Sequence, residues 1–466
     1  MSIARRSWRL ALLLPIAALG VACSSLPRIV PDLAMSGKAI QLEGARGPLS
    51  ARQSKAVLSR LAKPGPAADL LERHLALEEA IVDSPLTIGN EVTLLQDGPA
   101  TYQAMFTAIL AARDHINMET YILDDDEVGQ RFAEALLAKQ AQGVQVNLLH
   151  DGVGTLGTPA RFFDTLTAAG IQVLTFNPVN PLKAREGWEL NQRDHRKLLI
   201  VDGRTAFLGG INISSVYSGG SFKSGSKATP NGGSSSGPAW RDTDLQLRGP
   251  VVAELQKLFI SAWTDQKGPP LAPRDYFPAP EQAGRQVVRA IGSSPDDPFS
   301  LIYATLISVI NNAAVSVRIT NAYFVPDPQL LEALEAAARR GVDVQLILPS
   351  QTDSWLVFNA GRRNYDRLLQ AGVKIYERRG VILHSKTALV DDVWATVGST
   401  NLDWRSFLHN YEVNAVVLGV DFGQQVKAMF AKDLAQSDQI RLDAWERRSI
   451  DIRAKELFSR IWEYWL

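Results

Sequence analysis

Residues 194–203 read DHRKLLIVDG, and residues 383–392 read LHSKTALVDD. Both stretches follow one pattern: a histidine, a lysine two positions later, and an aspartate five positions beyond the lysine. The first copy is His195, Lys197 and Asp202; the second is His384, Lys386 and Asp391. The chain has only six histidines in 466 residues, so chance is a poor account of the recurrence. The run between lysine and aspartate is mostly apolar in both copies, which suits a strand. Alternate side chains of a strand share a face, so each histidine is expected on the same side as its lysine. A single copy is an ordinary polar strand end. Two copies 189 residues apart point to an internal repeat.

The flanking sequence repeats as well. Upstream of the first copy, residues 102–114 have helical periodicity, 116–123 read as a strand, 129–143 as a helix closing on glycine, and 144–151 as a strand. Upstream of the second copy the same order returns in residues 301–313, 315–325, 329–341 and 342–350. Tyr121 matches Tyr323, and Gly143 matches Gly341. Alternating strands and helices predict an α/β chain with a parallel or mixed sheet in each half. The expected organisation is a signal-like segment (1–23), a linker with a lead-in helix over 67–82 (24–90), a first lobe (91–285) and a second lobe (286–466). Residues 218–239 are a Gly/Ser-rich insert in the first lobe, too polar to bury a core of their own. The insert reads either as a flap near the first motif or as a tolerated surface insertion.

Hydrophobic residues make up 46% of the chain, ample for two cores. Lysine plus arginine balance aspartate plus glutamate at 49 each, so no overall basic field exists and a nucleic-acid partner is not expected. One cysteine, Cys23, excludes an intramolecular disulfide. Arg5, Arg6 and Arg9 precede an apolar run over 10–22 that is too short to span a bilayer comfortably. Small residues then lead to Cys23. This start resembles a bacterial lipoprotein signal, which implies lipidation of Cys23. Ser24 in place of aspartate implies the periplasmic face of the outer membrane. A plain signal peptide or a short anchor is the other reading.

Each motif is followed by a small-residue signature ending in asparagine, LGGIN with Asn212 and VGSTN with Asn401. An acid comes next: Asp242 in WRDTDLQL and Glu412 in NYEVNAVV. Such a set suits a phosphodiester. Lysine and asparagine donate hydrogen bonds to the non-bridging oxygens. One imidazole can attack phosphorus while the other protonates the leaving alkoxide and later deprotonates the acceptor. A carboxylate on the far ring nitrogen holds the tautomer.

Together these segments resemble the phospholipase D superfamily and its HKD motif, nearest to the bacterial cardiolipin synthase branch, over about residues 90–420. The resemblance implies two tandem α/β/α lobes packed about a pseudo-twofold axis, with one active site between them and no metal or other cofactor. It implies a catalytic set of His195, Lys197, Asp202, His384, Lys386 and Asp391, in which the two aspartates support rather than react. Lys197, Lys386, Asn212 and Asn401 would hold the phosphate, and Asp242 and Glu412 would orient the histidines. The activity implied is phosphatidyl transfer between phospholipids at a membrane surface through a phosphohistidine, with His195 the expected nucleophile. A hydrolytic phospholipase D shares every one of these residues; a nuclease and a silent lipid-binding lipoprotein are further readings.

His74, His115, His150 and His409 lack the motif and are expected to be structural. The acidic run at residues 123–127 lacks metal-ligand spacing and reads as a loop or helix-start cluster. The aromatic C-terminus, with Trp462, Tyr464 and Trp465, suits a bilayer interface or burial against the second lobe.

Overall fold

The computed structural model describes residues 40–61, 71, 74–75, 82, 84–183, 185, 188–220 and 238–459. Cys23, most of the Gly/Ser-rich insert, most of the lead-in helix and the C-terminal aromatics lie outside these residues.

Fourteen strands carry the architecture. The first seven are β1 (Leu86–Gln96), β2 (His115–Thr120), β3 (Gln145–Asp151), β4 (Gln172–Phe176), β5 (Leu198–Val201), β6 (Thr205–Gly209) and β7 (Thr243–Arg248). The second seven are β8 (Gln286–Ser293), β9 (Ser316–Asn321), β10 (Asp343–Pro349), β11 (Lys374–Arg378), β12 (Lys386–Val390), β13 (Trp394–Gly398) and β14 (Asn410–Leu418). The first half is ordered β4-β3-β2-β5-β6-β7-β1. The second runs β8-β14-β13-β12-β9-β10-β11, the same order reversed in space. β2, β3 and β4 are parallel, as are β9, β10 and β11; the other pairings among these fourteen strands within a half are antiparallel. Antiparallel β1 and β8 join the halves into one mixed sheet, with Val287 opposite Ile88 and Val288 opposite Thr87.

The apolar runs explain the layering. Leu198 and Ile200 pack on one face with the helix Val251–Asp265, while Leu199 and Val201 pack on the other with the helices Asp97–Ala111 and Glu127–Ala141. In the second half Leu389 faces the helix Val420–Leu434, and Ala388 and Val390 face the helices Leu301–Asn312 and Pro328–Arg339. A strand covered on both faces reads as a continuous apolar run. The helix after β2 starts where Asp126 accepts from the amides of Val128 and Gly129, so the acidic run is a helix-start cluster. The two matched glycines, Gly143 and Gly341, end equivalent helices at φ of +88° and +92°, where only glycine sits without strain.

The motif aspartates hold the frame. Asp202 accepts from the backbone amides of Arg113, Asp114 and His115 at 2.8–3.2 Å. Asp391 accepts from those of Ala314, Val315 and Ser316 at 2.8–3.3 Å, and from His74 Nε2 at 3.2 Å. Each clamps the turn between a helix and the neighbouring strand. Each lies beyond the far end of its motif strand, about 16 Å along the chain from the lysine. Grouped with the catalytic set by the resemblance, they touch neither motif histidine.

Burial opposes charge on the Asp391 carboxyl, but His74 and the three amides outweigh it and hold it below its ordinary range. Its stabilising contribution is therefore present above about pH 4 and lost as pH falls further. Asp391→Ala is expected to cost about 3 kcal/mol in urea unfolding, because buried amides lose an ionised acceptor, while activity per folded molecule persists.

Candidate active site

Both histidines lie just before their strands, in extended segments that bond across the seam between halves. This differs from placement within the strand, and the partner half is the reason. Arg193 and Asp194 pair in parallel with Asn410 and Tyr411, and the His195 amide donates to the Tyr411 carbonyl at 3.0 Å. Trp240 and Arg241 pair with Ile382 and Leu383, and the His384 amide donates to the Arg241 carbonyl at 2.7 Å.

These two bridges exchange carboxylates between the halves. His195 Nδ1 lies 3.0 and 3.1 Å from the oxygens of Glu412, which belongs to β14 of the second half. His384 Nδ1 lies 2.7 Å from Asp242 Oδ2, in the first half. A carboxylate oxygen accepts the hydrogen bond, so each Nδ1 carries the proton and each Nε2 is left to take or give one. The Lys197 ammonium donates to the His195 carbonyl, and the Lys386 ammonium to the His384 carbonyl. All four side chains are buried.

Burial sets the electrostatics. It drives His195 well below its ordinary pKa, helped by the charges of Lys197, Lys386 and His384, so the two motifs sense one another. His384 is also lowered by burial and Lys386, against the pull of Asp242. The ammonium of Lys197 is pushed down to about 7 and that of Lys386 to about 8, burial again first. The carboxylates diverge. Burial pushes Glu412 up to about 7 despite Lys197 and the Ser399 hydroxyl. At Asp242 burial is overcome by His384 and Lys386, which hold it below the usual carboxylate range.

The glycines of the small-residue signatures allow close approach of the next strand. A Cβ on Gly210 would sit 2.3 Å from Asp242 Oδ1, and one on Gly398 would sit 2.0 Å from the side-chain amide oxygen of Asn414. Asn212 is buried; its Oδ1 accepts from the Ile122 amide at 3.1 Å, and one N–H donates to the Tyr217 hydroxyl at 3.0 Å. Asn401 is buried, with an Oδ1 that has no hydrogen-bond partner among the described residues.

Several aromatic neighbours were not assigned from sequence. Tyr121 stands edge-on to His195 at 5.1 Å, with the Lys197 ammonium 5.2 Å from its ring centre. Around His384 stand Tyr217, Trp240 and Tyr323, at 5.8, 5.2 and 6.1 Å. The Tyr217 hydroxyl lies 3.3 Å from His384 Nδ1. Tyr121 and Tyr323 occupy matching repeat positions just beyond β2 and β9, a signal visible in the sequence. Tyr217 and Trp240 flank the Gly/Ser-rich insert and touch each other at 5.2 Å, so that insert springs from the wall beside His384. Two other histidines lie away from this site: His115 contacts Asp114 at 2.9 Å, and His150 stacks on Phe163 at 4.0 Å. No cluster of three or more potential metal ligands occurs among the described residues.

The family model described as "Cardiolipin synthase, PLD-like domain" matches residues 105–218 and 306–434, one segment in each half. The chain is 34% identical over 419 residues to a cardiolipin synthase of Geobacillus kaustophilus (strain HTA426), covering 87% of this chain and 80% of that protein. It is 35% identical over 391 residues to one of Geobacillus sp. (strain WCH70), covering 83% and 74%. Among solved structures, phosphatidylserine synthase of Haemophilus influenzae Rd KW20 superposes with a TM-score of 0.55 at 14% identity, over 79% of this chain and 95% of that one. That likeness concerns the fold.

Two ammonium groups with depressed pKa values fix the alkaline behaviour of such a site. They carry charge below their pKa and lose it above. The kcat/KM for an anionic phosphodiester is therefore expected to fall as pH rises through about 7 to about 8, measured as a pH–rate profile.

Proposed function

The chain belongs to the cardiolipin synthase family of phospholipase D-like enzymes, and from that premise we propose that it makes cardiolipin by phosphatidyl transfer between two phosphatidylglycerol molecules. As a member of that family it is a phosphatidyltransferase. The observation that carries the reading is the crossed pairing of two buried imidazoles, each with Nδ1 on a carboxylate from the other half and each beside a buried lysine.

The donor phosphodiester binds with its non-bridging oxygens toward Lys197 and Lys386, with Asn212 and Asn401 alongside. His195 Nε2 attacks phosphorus. His384, neutral at rest, takes up a proton on Nε2 as the anionic donor binds, and when the phosphorus–oxygen bond to the headgroup glycerol breaks that proton goes to the leaving alkoxide. Phosphatidyl-His195 and free glycerol result. His384, now neutral, takes the proton from a glycerol hydroxyl of the second phospholipid. That oxygen attacks phosphorus, the phosphorus–nitrogen bond breaks, and His195 is regenerated with release of cardiolipin. The unequal carboxylates support this division of labour. Asp242, held in its ionised form, favours a cationic His384 that acts as acid. His195, pushed furthest toward the neutral form, suits the nucleophile.

Substrates of this kind place the chain at a membrane. Among the described residues no helix is long and apolar enough to cross one. Trp355, Ile450, Leu457 and Phe458 are exposed, and the rings of Trp355 and Phe458 lie 6.4 Å apart, which suits a bilayer interface. Lipidation of Cys23 at an outer-membrane site would supply the anchor.

Two measurements test these assignments. With a donor labelled at phosphorus, quenched His195→Ala is expected to carry no protein-bound label and to make no cardiolipin. His384→Ala is expected to lose about 10²- to 10⁴-fold in transfer from phosphatidylglycerol, and to regain labelling when the leaving group is p-nitrophenolate, which needs no proton. The reverse pattern would make His384 the nucleophile, and phosphatidic acid as sole product would make the enzyme a hydrolase. Separately, Cys23→Ser is expected to shift the expressed protein out of the outer-membrane fraction on density-gradient separation; an unchanged distribution removes the lipid anchor.

A further inference from the structure

Tyr323 and Asp353 stand on the His384 side of the site and take no part in the transfer steps. Tyr323 follows the carboxyl end of β9, and Asp353 follows that of β10. In open α/β sheets ligands bind at the carboxyl ends of strands. The Tyr323 hydroxyl donates to Asp353, with Oδ1 and Oδ2 at 2.6 and 2.7 Å, while its ring stands 6.1 Å from that of His384. Asp353 is exposed and also accepts from the Thr352 hydroxyl at 3.2 Å. Its charge reaches the site, for it is among the carboxylates that oppose the burial-driven lowering of Lys386.

The pair has spare capacity of one kind. The tyrosine spends its only O–H on the carboxylate, so its oxygen lone pairs remain to accept. The carboxylate has about four acceptor positions and uses two protein donors. Two acceptors side by side match two hydroxyl donors on adjacent carbons. The first half lacks this pair: residues 152–158, after β3, read GVGTLGT and contain no acid, and Asp151 just before them is buried and accepts from the amides of Val153, Gly154 and Asp194. The asymmetry follows from the reaction. In-line displacement puts the leaving group opposite His195, on the His384 side, and the acceptor enters along the same line. Leaving and attacking glycerol thus pass through one place beside His384.

Resting on the transfer reading above, we propose that Asp353 and Tyr323 form a polyol subsite that binds the adjacent hydroxyls of a headgroup glycerol and sets preference for a diol acceptor over a monohydric alcohol, water or an amine. Asp353 accepts from one hydroxyl and Tyr323 from its neighbour. A site built to bond a hydroxyl discriminates strongly against an analogue that lacks it.

The test uses the full chain with a phosphatidyl-p-nitrophenol donor, whose leaving group has no diol, so the subsite is read only through the acceptor. Glycerol, 1-propanol and ethanolamine compete as soluble acceptors. In the native protein glycerol is expected to be preferred, and in Asp353→Ala the ratio of kcat/KM for glycerol over that for 1-propanol is expected to fall about tenfold or more. Asp353→Asn keeps the shape should the alanine variant fail to fold, and Tyr323→Phe removes the hydroxyl and keeps the ring. Equal losses for both alcohols would assign the pair a merely structural role and overturn the inference. A loss confined to ethanolamine would overturn it in favour of ammonium recognition. A native protein that releases p-nitrophenol without preferring glycerol sinks this inference alone; one that releases none sinks the transfer reading as well.

Discussion

The interaction on which the site depends is the crossed exchange of carboxylates over the seam, Glu412 to His195 and Asp242 to His384. Neither half can assemble a reactive imidazole alone. A histidine without its partner carboxylate has no fixed tautomer, and a carboxylate without its histidine is a buried charge with a large desolvation cost. The bridges that deliver the exchange are two residue pairs long, and so are too weak to hold the lobes together. That task falls to the β1–β8 pairing and the core beneath it, where Val288, Leu245, Val413 and Val417 pack in one cluster. Arg241, one position before Asp242, adds a buried bidentate contact to Asp433 of the other half at 3.0 and 2.8 Å. It sets the height of the Asp242 backbone against the second lobe.

Charge balance explains why so many ionisable groups tolerate burial here. Two lysines and two carboxylates nearly cancel, leaving both imidazoles neutral at rest, as the downward shifts of His195 and His384 require. An entering phosphodiester adds one negative charge. That charge favours protonated forms of every neighbour, and the lysines with depressed pKa values are the first to respond. The resting site is thus poised for an anion, and the substrate completes its electrostatics.

How much of this was legible in the sequence follows from range. The repeat was readable because helix and strand periodicities are local and because Gly143 and Gly341 close matching helices. The pairing of His195 with His384 in one site was readable because the spacing recurs. The crossing was not: Glu412 lies 217 positions from His195, and no local pattern tells which acid meets which ring. The strand reading of the motif also missed that His195 and His384 stop short of the ladder, since their amides bond to the opposite half. Asp202 and Asp391 carry the same spacing as the reactive residues, yet their left-handed φ of +52° and +53° marks them as turn residues clamping backbone amides. Spacing cannot separate a reactant from a brace. Tyr217 and Trp240 were obscured by the insert between them, which parts two residues that touch in space.

A duplicated lobe yields two equivalent half-sites, whereas the reaction needs two different roles. The difference between Asp242 and Glu412 is one departure from symmetry. The longer Glu412 is shared among Ser399, Asn410 and His195, and burial pushes its carboxyl up to about 7. The shorter Asp242 is locked by the Thr243 amide at 2.7 Å and by His384, and remains charged. Among the described residues, the crowding of Tyr217, Trp240 and Tyr323 about His384, against Tyr121 alone beside His195, is a second departure. Both fall on the same ring. A histidine with a charged partner and a walled approach suits repeated proton exchange with hydroxyl groups. A histidine with a weaker partner and a more open face suits attack on phosphorus. A few side-chain differences around a repeated pair are thus enough to turn a symmetric cleft into one with a direction.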